Sequence, residues 1–220
     1  LLAILVPVND RRFALTLAES VRLGAELDNL RAALAWAESE ADNRSLAFEL
    51  ISSSRCIWFN LNLLNEGIER ALRLLPLPDG LPLDIEARFN LLLGSLGYLG
   101  ARRECFVAAL RAAELYRSSG NTAHQIDALV SAAQFGPRLG ETKRCADAIA
   151  EAETLIGPHT PPRQAASLAL AKAQYHVSLD QLEQALESAL RQAALYRESG
   201  DAWGEYLGLC NAAFYECGLG

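Results

Sequence analysis

The chain repeats itself every forty residues: Leu75, Leu115, Leu155 and Leu195 hold one register, and Leu99-Gly100, Leu139-Gly140, Leu179-Asp180 and Leu219-Gly220 hold another. The closest copies are Leu115-Tyr116-Arg117-Ser118-Ser119-Gly120-Asn121 and Leu195-Tyr196-Arg197-Glu198-Ser199-Gly200-Asp201, two periods apart with no insertion between them. A fixed period of this length is the mark of a repeat architecture, in which each unit buries its apolar face only by stacking on its neighbours. Such an array exposes a long surface suited to binding rather than to chemistry.

Composition selects the kind of unit. The chain is 51% hydrophobic yet only 7% aromatic, which suits close-packed helices better than strands built from branched and aromatic residues. The formal net charge of −7 removes any general attraction to a phosphate backbone or an anionic lipid surface, so direct nucleic-acid binding by this segment is not expected. No apolar run reaches the roughly 18 residues of a membrane span. Residues 1–8 lack the basic start and cleavage site of a secretory leader, so a cytoplasmic setting is expected. The five cysteines, Cys56, Cys105, Cys145, Cys210 and Cys217, are odd in number and form no Cys-x-x-Cys pair, which argues against a disulfide framework or a zinc ribbon. Cys105 and Cys145 share a register with Ala185. Their expected role is to be small and apolar at a tight helix crossing, buried and unbonded.

Hydrophobic periodicity divides the chain further. Residues 1–8 form an apolar run too short to separate strand from helix. Leu23, Leu27, Leu30, Leu34 and Ala37 recur at helical spacing and predict one helix over about 13–40, with Asp42 or Asn43 as a cap for the next. Helix pairs follow at 45–59 with 64–75, 84–99 with 102–118, 122–139 with 141–156, and 162–179 with 180–199; a further helix begins at 202. The expected fold is therefore all-α: a right-handed α/α superhelix, or solenoid, of antiparallel helix pairs with a period of about 40. Residues 1–44 read as a helical linker or cap from a preceding domain. Residues 45–220 read as the repeat domain, with units 45–80, 84–120, 122–158, 162–200 and an incomplete 202–220. A start at Leu1 and a stop in mid-repeat suggest a piece of a longer polypeptide.

Small residues at Cys105, Cys145 or Ala185, followed by others four and often seven positions on after a turn glycine, resemble the tetratricopeptide repeat, although its usual period is 34. The longer period resembles the helical-repeat region of large bacterial ATP-dependent transcription regulators of the LuxR and AfsR kind. The stretch from Glu26 through Asn29-Leu30-Arg31-Ala32-Ala33-Leu34-Ala35-Trp36-Ala37 is similar to the segment leading into those repeats, and Asn65-Glu66-Gly67-Ile68-Glu69-Arg70-Ala71-Leu72 to their first unit. Asp180 departs from the pattern at a turn glycine, and Thr160 at the position of Gly120 and Gly200. The resemblance implies an ATP-binding module upstream and a sensor role, with no chemistry of its own.

The catalytic motifs are missing. No phosphate loop occurs, no cofactor is expected in this segment, and Gly94, Gly97 and Gly100 sit where a helix ends, a spacing that admits a neighbouring helix. His124, His159 and His176 have no nucleophile or carboxylate at catalytic spacing, and Glu151, Glu153, Glu183 and Glu187 read as solvated charge. No metal set is read either. The informative positions are two ladders on the first helices: Ser95, Phe135, Tyr175 and Tyr215 forty apart, and Tyr98, Arg138 and Ser178 one turn later. Either the aromatics wedge successive units together, or they line a concave groove. In the second case Tyr98, Phe135, Arg138, Tyr175 and Tyr215 hold a peptide or small-molecule effector and are partly exposed. The expected function is non-catalytic sensing within a larger transcription regulator. The alternative is a free-standing adaptor that binds a peptide or scaffolds a complex.

Overall fold

The computed structural model describes residues 1–9, 15–40, 43–97, 100 and 102–220. Among the described residues it is all-helical, with 82% helix and no strand. The early part holds α1 (Leu2–Asn9), α2 (Leu17–Ala25), α3 (Leu27–Ser39), α4 (Arg44–Ser53), α5 (Arg55–Asn60) and α6 (Leu64–Arg73). Longer helices follow: α7 (Leu83–Leu96), α8 (Arg103–Ser119), α9 (Thr122–Phe135), α10 (Thr142–Leu155), α11 (Pro162–Ser178), α12 (Leu182–Glu198) and α13 (Ala202–Leu219).

From α7 onward the elements follow the forty-residue period, because each link carries a residue able to turn the chain. Gly120, Gly140 and Gly200 all take φ between 71° and 76°, the left-handed conformation that ends a helix without a Cβ clash. Asp180 takes the same conformation at φ 59° in spite of its side chain, so the turn geometry survives the loss of glycine. After these turns, Asn121 and Asp201 cap α9 and α13 by accepting the backbone N–H groups of His124 and Gly204 at 3.2 and 3.0 Å. At the link between α10 and α11, Thr160 instead accepts the Gly157 N–H at 2.9 Å, and Pro162 opens the next helix, where its missing N–H costs nothing.

One undecided run is resolved and three boundaries differ from the sequence expectation. The undecided run at residues 1–8 is helix α1. The single helix expected over 13–40 is two, divided at Glu26: Thr16 and Glu19 form a reciprocal capping box that starts α2 late, and the Glu26 N–H bonds tightly to the Leu23 carbonyl. The first helix of unit one breaks at Ser54. There Ser52 and Ser54 donate their hydroxyls back to the Phe48 and Ile51 carbonyls, at 2.6 and 2.7 Å, and such back-bonding bends helices. In unit three the α-helix stops at Phe135 and continues as a 3₁₀ turn, Gly136–Leu139, because Pro137 has no N–H to donate to the ladder.

Packing joins consecutive helices into hairpins and stacks the first helices on one another, α4 on α7, α7 on α9 and α9 on α11. The largest core gathers Leu5, Leu30 and Leu34 with Phe48, Trp58, Phe89, Phe106 and Phe135, so residues before 45 share a core with those after it. Where backbones meet, glycine makes room. A Cβ on Gly94 would lie 2.7 Å from the Ala109 Cα, and one on Gly136 would run into the Cys145 sulfur. Cys105 and Cys145 are buried and form no disulfide. Among the described residues no helix is long and apolar enough to cross a membrane.

Candidate functional site

The first ladder is mainly a packing device. Ser95 is buried, with its hydroxyl donated to the Leu91 carbonyl at 2.6 Å. Phe135 is fully buried at 0% exposure, which corrects the expectation that it lies open on a groove. The reason is a notch one unit earlier: Gly97 has no side chain, and a Cβ there would sit 2.9 Å from the Phe135 ring and 2.7 Å from Cys105. Tyr215 retains only 7% exposure, and Tyr175 is half-buried against both large cores. Tyr215 is likewise less open than expected, since a large ring at a seam between units gains more from apolar contact than from water, whereas Tyr175 keeps partial exposure. Tyr98 lies outside the described residues.

The second ladder behaves differently. Arg138 is exposed on the 3₁₀ turn that Pro137 imposes, and Ser178 is exposed at the end of α11. With Gln134, Pro137, Gln174, Val177 and Tyr215 they line a groove of about 480 Å³ where α9, α11 and α13 end. That volume falls within the range of small-ligand sites. Arg138 and Tyr215, both expected from the sequence, thus meet at one place, while Phe135 lies in the seam beneath and Tyr175 outside the lining. Gln134 and Gln174 were missed, although they stand forty apart beside the first ladder, as Pro137 and Val177 stand forty apart beside the second. The same period would have found them.

The groove is mostly apolar, with a cation at one side and two primary amides along it. Gln174 is the informative one: its Oε1 is shut off from solvent without a hydrogen-bond partner. A buried acceptor left so costs about 1–3 kcal/mol. Ser178 has donated its hydroxyl to the Tyr175 carbonyl at 2.6 Å, which leaves its oxygen as an acceptor.

Charged groups beside a second hollow and between units are engaged in structure. A larger hollow of about 590 Å³ lies between the start of α7 and the junction of α8 with α9. Its Arg88 pairs with Asp84 at 3.1 Å, and its His124 stacks on Tyr116 with ring centroids 5.0 Å apart while contacting Asn121. Glu151 is not simply solvated: it accepts from Arg117 at 2.6 Å and Gln125 at 2.6 Å, tying units two and three together. Glu153 pairs with Lys172 in the next unit at 2.6 Å. Near the start, Arg31 donates to Glu66 at 2.6 and 2.9 Å, and these bonds hold the Glu66 carboxyl below its ordinary range. Burial pushes the Cys56, Cys105 and Cys145 thiols up to about 11, so little thiolate exists at neutral pH and these sulfurs are poor nucleophiles. Among the described residues no three metal-ligating side chains cluster.

No protein-family model and no curated protein matches the chain. Among solved structures the chain is similar to the crystal structure of BtubC (BKLC) from P. vanneervenii, at 13% identity and a TM-score of 0.48, over 90% of this chain and 92% of that one.

Proposed function

We propose that this chain is a non-catalytic binding module. Its helix pairs stack as a right-handed α/α superhelix with the first helices inward, and it serves as the sensor segment of a larger bacterial ATP-dependent transcription regulator. The period of forty and the resemblance of residues 26–37 and 65–72 to such regulators support the setting. The observation that carries the binding role is the groove at the ends of α9, α11 and α13, where Arg138 and the Gln134 and Gln174 amides border an apolar floor. A polar rim over an apolar floor holds a ligand by area and orients it by a few directed bonds. The effector is a peptide or small molecule, and the upstream ATP-binding module reads its capture.

A melting-temperature screen of the whole chain against peptides, carboxylates, sugars and nucleotides tests this, since a ligand that binds only the folded state raises the midpoint. One class should raise it, and Arg138→Ala should abolish the rise measured against the variant's own unliganded midpoint. A rise retained in the variant would move the site elsewhere.

One observation favours the adaptor reading. Helix α13 exposes Trp203 at 68% and Phe214 at 73%, with Leu207 between them. These three lie at spacings of four and seven along one face, the arrangement by which a helix docks on a protein partner. An adaptor would lose its partner on Trp203→Ala and keep it on Arg138→Ala.

A further inference from the structure

We infer that the outer face of α13 docks a second copy of this chain, the two helices lying antiparallel and meeting through Trp203, Leu207, Cys210 and Phe214. This does not rest on the groove, and the occupant differs from the separate partner of the adaptor reading.

The spacing carries the argument. Trp203, Leu207, Cys210, Phe214 and Cys217 alternate steps of four and three, so they form one seam with a mean period of 3.5 residues, the pattern by which two helices pair. All five are exposed. The helix buries Gly204, Gly208, Ala212 and Tyr215 on a different side, so the seam is not the side that holds α13 in the fold. Trp203 stacks on Tyr206 with ring centroids 5.5 Å apart, which orders the indole on the seam in the free chain.

The repeat register shows why the occupant is a like face. The Ala123 carbonyl and the Asp127 carboxylate of α9 accept from Gln164 of α11 at 2.6 and 3.0 Å, and Arg163 of α11 pairs with Asp201, the cap of α13, at 3.0 Å. Trp203 stands forty residues after Arg163 and eighty after Ala123, and Leu207 stands eighty after Asp127. Where earlier units hold their successor with polar groups, α13 presents an indole and a leucine. Such a face cannot return those hydrogen bonds and is matched by another apolar one. The charged residues of α13, Glu205 and Glu216, stand off the seam, and Glu205 accepts from Arg197 at 2.8 Å, so two copies meet without like charges opposed. At the other end of the stack α1 and α3 pack on α4, so the contact is tail to tail and each copy uses the same face.

In an antiparallel pair Trp203 of one copy lies against Phe214 of the other, and Leu207 against Cys210, with the two-fold axis between them. Both large rings are more than two-thirds exposed in the single chain, and with Tyr206 and Leu207 the pair covers roughly 1,000 Å² in total, the lower end of a specific interface. The axis also fixes the thiols: at 1.5 Å per residue the two Cys210 residues are offset by about 5 Å along the helices and the two Cys217 residues by about 25 Å.

Sedimentation equilibrium of the whole chain under reducing conditions, from about 1 to 200 µM, should show monomer passing to dimer with a midpoint on the order of tens of micromolar. Trp203→Ala and Phe214→Ala should each weaken the dimer about tenfold or more. Both side chains lie in water, so the melting midpoint of the dilute monomer should stay the same and show that the variants fold. A short bis-maleimide should link two copies through Cys210 in the Cys217→Ser variant and fail in Cys210→Ser, since the other cysteines are buried. A chain that stays monomeric at the highest concentration overturns the second copy as occupant. If Trp203→Ala then loses a different protein, the face belongs to the adaptor's partner. A dimer indifferent to both aromatic variants, or linked through Cys217 as readily as through Cys210, overturns the antiparallel seam. The melting screen decides the groove reading by itself, so the two stand or fall separately.

Discussion

The described residues up to 97 and those from 102 onward are both largely helical, yet they are held together by different means. The early region uses short helices of 6 to 14 residues and packs them around large side chains, with Phe48 edge-on to Phe89 at 4.8 Å and Trp58 fully enclosed. The later region uses helices of 14 to 18 residues with interfaces made largely of alanine: Ala173, Ala185, Ala189 and Ala212 form one cluster with Tyr215, and Ala166 and Ala169 another with Leu195. Alanine brings backbones close and favours helix but removes little apolar area from water. Regularity and stability therefore run in opposite directions along the chain. The groove sits toward the regular, less anchored end, where a ligand can draw neighbouring units together.

The largest expected effect tests the early core. Phe48→Ala should lower unfolding stability by about 3–5 kcal/mol, measured by urea denaturation, because the ring is completely enclosed. Ala189→Gly, at an equally buried site in the later region, should cost only about 1 kcal/mol through helix propensity. Equal losses would break the comparison.

A second pair sharpens it by sign. Gly94→Ala places a Cβ 2.7 Å from the Ala109 backbone, which cannot yield as a flexible side chain would, so a net loss of roughly 1–2 kcal/mol is expected. Gly24→Ala meets only the Leu61 side chain at 3.6 Å and lies within α2. It should gain up to about 1 kcal/mol from propensity. Thermal unfolding of the two variants should move in opposite directions.

The smallest effect lies in the turns. Asp180→Gly removes a side chain from the left-handed conformation and should stabilise by about 0.5 kcal/mol after the entropy of glycine is offset. An unchanged or lowered midpoint would mean that Asp180 is favoured there by something other than turn geometry.

Sequence was most telling where the period was cleanest. Helices α8 to α13 were legible to within a few residues because turn residues recur at fixed positions, and Asp180 could be recognised as standing in for a glycine. The breaks at Glu26 and Ser54 were not legible, since the apolar spacing runs on through both and only hydroxyl back-bonding at Ser54 and a turn closed by the Glu26 N–H on the Leu23 carbonyl interrupt it. In the site, the ladders located the ends of the first helices but not which rung faces water. Phe135 is enclosed because Gly97, thirty-eight residues earlier and off the forty-residue register, leaves a notch for it. Arg138 is outward because Pro137 turns α9 into a 3₁₀ segment. Both depend on neighbours outside the register being read.

The most direct test of this uneven anchoring is native-state hydrogen exchange resolved helix by helix. Amides of α7 and α9, set in the cores around Phe89 and Phe135, should exchange slowest. Protection should fall through α11 and α12 to α13, which packs mainly on α12 and leaves Trp203 and Phe214 in water. Protection in α13 equal to that in α7, or α4 to α6 opening before α13, would contradict it.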